Sequence, residues 1–84
     1  MDFQVGDRVV VTKSFDFIVR GTVGTIIGQS AHSGSYAVEA DSRFEGGHDC
    51  HGRCRDGYGQ WVPGSLLELE VPMGQVSVDV SAFL

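Results

Sequence analysis

At 84 residues the chain makes a single domain with a small core, which leaves little room for a deep catalytic cavity within one protomer. Its formal net charge of -5 repels phosphate overall, which argues against a general binder of long DNA or RNA. Residues 1–8 lack the basic start and apolar run of a signal peptide, and no stretch is long or apolar enough to span a membrane. A cytoplasmic setting is therefore expected, in which the only two cysteines, Cys50 and Cys54, stay as thiols.

Helix signals are nearly absent, and short β-rich runs separated by turn residues point to a small barrel or sandwich. Gly6-Asp7 is a turn signal at the head of the first run, Asp7-Arg8-Val9-Val10-Val11-Thr12-Lys13, where Val9 and Val11 fall on one face. Phe15, Phe17 and Ile18 follow in a loop, some of whose side chains are expected to fold back over the core, and Phe3, Phe15 and Phe17 are expected to cap the barrel ends. The second run, Gly21-Thr22-Val23-Gly24-Thr25-Ile26-Ile27-Gly28, carries the glycines of a bent strand or a close backbone crossing. A polar turn over residues 29–34, with His32, leads to Ser35-Tyr36-Ala37-Val38-Glu39-Ala40. Tyr58-Gly59-Gln60-Trp61-Val62 is the fourth run. Pro63-Gly64-Ser65 turns the chain into Leu66-Leu67-Glu68-Leu69-Glu70, with Leu66 and Leu69 returning to the core. Beyond Pro72, Val76, Val78 and Val80 alternate with polar residues. That pattern predicts an extra strand over 75–81, within a tail of residues 71–84, packing on the barrel or on another protomer.

Residues 41–58 break the pattern and form a loop long for so compact a domain, which favours a functional role. Arg43, Arg53 and Arg55, three of the six basic residues, lie in or beside it with His48 and His51, and Tyr58 and Trp61 follow. Arginine forks suit phosphate, aromatic faces suit bases, and glycine lets backbone N–H groups approach an anion. These seven residues are the candidate ligand site. Competing expectations are that the arginines merely pair with Glu45, Asp49 and Asp56 on a solvated loop, and that Trp61 is a partly buried packing residue. His48, Cys50, His51 and Cys54 have the chemistry of a zinc site but are strung too closely to wrap one ion without a second segment. A Cys50–Cys54 disulfide and thiol catalysis by either cysteine with a neighbouring histidine are lesser readings.

The order of features resembles a known fold. Residues 5–11 followed by 21–26 look like the opening of KOW-type and related small barrels, and Trp61-Val62-Pro63-Gly64-Ser65-Leu66-Leu67-Glu68-Leu69 resembles the close of SH3-like domains. The resemblance implies an all-β, SH3-like barrel of about five strands over residues 1–70, with the long loop between the third and fourth strands. Gly47-His48-Asp49-Cys50-His51-Gly52, then Gly57-Tyr58-Gly59-Gln60-Trp61-Val62, is similar to a stretch of small phage-encoded proteins. Some small phage proteins with SH3-like folds sequester the cyclic nucleotides of bacterial immune signalling. That association implies a non-catalytic, cofactor-free, oligomeric sponge for a small anionic ligand such as a cyclic nucleotide, held between protomers in the host cytoplasm. The alternative is an interaction module that inhibits a host enzyme, with or without structural zinc.

Overall fold

The computed structural model describes residues 3–31 and 33–70. His32 and the strand expected over 75–81 lie outside the described residues. Five strands form one antiparallel sheet: β1 (Arg8–Val11), β2 (Val23–Gln29), β3 (Ser35–Ala40), β4 (Gly59–Pro63) and β5 (Leu67–Leu69). Their order is β4-β3-β2-β1-β5, and a 3₁₀ turn (Gly64–Leu66) joins the last two. This is the all-β, SH3-like architecture that the opening and closing segments imply. Pro63, lacking an N–H, ends β4 at the edge of the sheet, where no ladder bond is lost.

One face of the sheet packs the core. Val9, Val11, Ile26, Val38, Val62 and Tyr36 are buried there, joined by Phe3, Ile18 and Leu67. Side chains alternate across a strand, so Val9 with Val11 and Tyr36 with Val38 share this face as their spacing predicts. The Tyr36 hydroxyl accepts the Phe3 N–H at 3.2 Å, and the two rings meet edge-on at 5.2 Å. Gly24 fits the close crossing expected of it: a Cβ there would stand 2.5 Å from the Glu39 carbonyl oxygen.

Three packing expectations are corrected. Phe15 and Phe17 do not cap the barrel; they are 38% and 58% exposed, and Ile18 supplies the buried side chain of their loop. A two-residue bridge, Phe15 to Ile18, makes that loop too tight to turn every apolar side chain inward. Gln60 anchors it, donating from Nε2 to the Phe15 carbonyl at 2.8 Å. Leu69 pairs opposite Val9 but lies at the end of an edge strand and is half exposed, so Leu67 takes the core position.

Candidate functional site

The opposite face of the sheet is cleared to receive the long loop. Trp61 pairs with Ala37, and Ala37 with Gly28; Gly59 pairs with Glu39 in the next row. A bulge at Ile27 shifts the register of β2, which lets Ile26 stay in the core while Gly28 comes opposite Ala37. The face therefore carries two glycines and a fully buried alanine where larger side chains could stand.

The loop over residues 41–58 folds onto this face as an ordered layer. His48 and Gly59 exchange both backbone hydrogen bonds, at 2.9 and 2.8 Å, which ties the loop to the outer side of β4. Phe44 donates to the Gly57 carbonyl at 3.0 Å, and Ala40 to that of Tyr58 at 2.8 Å, closing the loop's base. Arg53 and Cys54 both donate to the Asp49 carbonyl, at 2.8 and 3.1 Å. Cys50 is wholly buried beneath the turn they close.

That turn is strained. Cys50 and His51 have φ of 50° and 62°, and Gly52 follows at 85°. Left-handed backbone is routine for glycine but costs a side-chain residue about 1–2 kcal/mol, so two such residues in succession need support. His48 provides it: its Nδ1 accepts the Cys50 N–H at 2.9 Å. The turn sends His51 and Arg53 towards Trp61. The His51 and Trp61 rings lie 6.1 Å apart, and the Arg53 guanidinium carbon is 5.6 Å from the Trp61 ring centre. Gly28 makes room for this, since a Cβ there would stand 3.1 Å from the Arg53 side chain.

His51, Arg53 and Trp61 thus form one wall of a groove of about 500 Å³. The turn between β2 and β3 forms the other, with Gln29, Ser30, Ala31, Ser33 and Ser35. Among the described residues no carboxylate lines the groove. Among the described residues Arg53 makes no ion pair, and the buried Trp61 indole N–H has no hydrogen-bond acceptor.

The other four candidates stand elsewhere. Arg55 pairs with Glu39 at 3.7 Å and lies 4.0 Å over the Tyr58 ring. Arg43 packs on Gly57 between two further grooves, one lined by Asp41 and the other by Glu45 and Asp56. His48 has its ring turned to the loop backbone. The pairing expected with Glu45, Asp49 and Asp56 does not form among the described residues, where Arg55 turns to Glu39 instead. The serine turn carried no motif; its one signal in the sequence was polarity beside Gly28.

The four-ligand zinc arrangement does not assemble. Cys50 and Cys54 face each other over Gly59, whereas His51 turns to Trp61 and His48 Nδ1 is engaged. No group of three or more His, Cys, Asp or Glu among the described residues is placed to hold a metal. The cysteines are free thiols. Burial, followed by the neighbouring Cys54 thiol, pushes Cys50 up to about 12, and burial also raises Cys54. A catalytic cysteine needs the reverse, a thiol easily ionised at neutral pH.

An SH3-like β-domain of this kind suggests a binding or interaction module. A family model described as the Xrn1 SH3-like domain matches residues 1–68, and the chain belongs to that family. No curated protein and no solved structure matches it. Among the described residues no helix is long and apolar enough to cross a membrane.

Proposed function

We propose that this protein is a non-catalytic binding module and that the Trp61 groove takes a small anionic ligand of the nucleotide class. The observation that carries the reading is Arg53 against Trp61, with no ion pair and no lining carboxylate among the described residues, on a chain of net charge -5. Phosphate suits Arg53 and His51, a base suits the faces of His51 and Trp61, and the serine wall offers hydroxyls to sugar or phosphate. In its specific form the ligand is a cyclic nucleotide of bacterial immune signalling, sequestered in the host cytoplasm by a phage-encoded protein. One groove supplies one arginine and one indole, whereas a cyclic dinucleotide repeats its base and phosphate. Two protomers meeting around a two-fold ligand would satisfy both halves.

A thermal-shift panel of cyclic di- and trinucleotides tests the reading. A ligand at a hundred times its dissociation constant stabilises by about 2.7 kcal/mol, a rise of several degrees for a domain this small. Arg53→Ala should remove the rise. A flat response across the panel at millimolar ligand overturns the proposal.

The second reading, an interaction module that inhibits a host enzyme, is favoured by Phe15, Phe17 and Val19, which expose apolar side chains on one loop. A partner docking there would be blocked by Phe17→Ser and indifferent to Arg53→Ala.

A further inference from the structure

Cys50 and Cys54 have no part in ligand recognition as described, yet they occupy its foundation. A Cβ added to Gly59 would lie 2.5 Å from the Cys54 sulfur and 2.7 Å from that of Cys50. The two sulfurs thus share one small volume, cleared by the missing side chain of Gly59, without being bonded. Their surroundings differ. Cys50 is wholly buried, while Cys54 is partly exposed and its sulfur lies 3.8 and 3.5 Å from the His48 and Arg55 carbonyl oxygens. Between them in the chain stand His51, Gly52 and Arg53, so the pair brackets both groove side chains that the loop supplies.

We propose that Cys50 and Cys54 are a dithiol modification site that closes reversibly to an intramolecular disulfide by exchange with a low-molecular-weight disulfide, and that closure resets the groove. Cys54, the accessible member, loses its proton and attacks one sulfur of the small disulfide, expelling a thiolate that takes up a proton. The resulting mixed disulfide on Cys54 sits beside Cys50. Cys50 in turn loses its proton and attacks the Cys54 sulfur, and the second small thiol leaves. Two protein thiols are oxidised and one small disulfide is reduced to two thiols. The bond would shorten the span carrying the strained residues 50–52, so His51 and Arg53 must shift against Trp61. Burial of both thiols, with the Asp49 and Glu39 carboxylates outweighing the Arg53 and Arg55 guanidinium groups beside them, makes the exchange slow at neutral pH and faster as pH rises. Any consequence for ligand affinity rests on the nucleotide reading; the thiol chemistry and the movement at Trp61 do not.

Trp61 is the sole tryptophan, so its emission reports on the groove without a ligand. Wild-type protein equilibrated in glutathione buffers of rising oxidised fraction should lose two hydrogens by mass and both alkylatable thiols together. Its Trp61 emission should change in step and return on reduction. Cys50→Ser should stop at a glutathione adduct on Cys54, and Cys54→Ser should leave the emission constant. Two thiols that stay free in excess oxidised glutathione, or cross-links formed only between chains, overturn the site. An intramolecular disulfide that leaves Trp61 emission unchanged overturns its coupling to the groove.

Discussion

The two faces of the sheet solve opposite packing problems. The inner face meets other side chains and is filled by valine, isoleucine and tyrosine at full burial. The outer face meets the long loop, whose Arg53, Cys50 and Cys54 side chains and His48 carbonyl settle onto it, and is emptied to Gly28, Ala37 and Gly59. A long loop rich in glycine and charge can therefore be pinned against a sheet when the face beneath it is cleared. That layer holds a strained turn, which aims Arg53 and His51 across Trp61. The inner face makes the domain stable, and the outer face makes the groove.

If the faces divide labour in this way, substitutions on each should separate stability from binding. Ile26→Ala opens a cavity in the fully buried core and should cost about 2–5 kcal/mol in urea unfolding, a large share of the stability of so small a domain. Gly59→Ala overpacks the outer layer, its Cβ set against two sulfurs and, at 2.9 Å, the His48 carbonyl oxygen. It should cost about 1–3 kcal/mol and also shift Trp61 emission, because the displaced turn carries its neighbours. A Gly59→Ala protein of unchanged stability and emission would mean that the loop does not rest on the sheet.

A smaller effect follows from the buried thiol. An unfolded cysteine ionises near pH 8.5, whereas burial holds folded Cys50 up to about 12. The folded state keeps its proton where the unfolded chain loses it. The Cys50 contribution is thus complete below about pH 8.5 and declines as pH rises towards 12, by at most about 1.4 kcal/mol per pH unit. Urea midpoints measured from pH 8 to 10.5 should fall more steeply for wild type than for Cys50→Ala.

The division between the faces also explains what could be read from the sequence. The barrel was legible because strand alternation and the Trp61-Val62-Pro63 close are local patterns. Val9, Val11, Tyr36 and Val38 declare their face by spacing alone. Phe15, Phe17 and Leu69 misled because hydrophobicity says nothing about a tight bridge or an edge strand. The candidate site was legible as a composition and not as a geometry. Arg43, Arg53 and Arg55 are close in sequence, but a folded loop points them to three separate places. The register shift at Ile27 and the left-handed turn at Cys50 and His51 decide which arginine meets Trp61, and neither leaves a pattern in the chain. The serine wall escaped notice because its residues become neighbours of Trp61 only through strand pairing.

Amide and indole NMR of the reduced protein, titrated with each member of the cyclic-nucleotide panel, tests the groove most directly. Trp61 provides the single indole N–H signal. A ligand in the groove should move that signal with the amides of Ser33, Ser35, His51 and Arg53, saturably and with no effect on Arg53→Ala at the same concentrations. Shifts confined to the loop bearing Phe15, Phe17 and Val19, or no saturable shift from any member, would contradict the assignment of the groove.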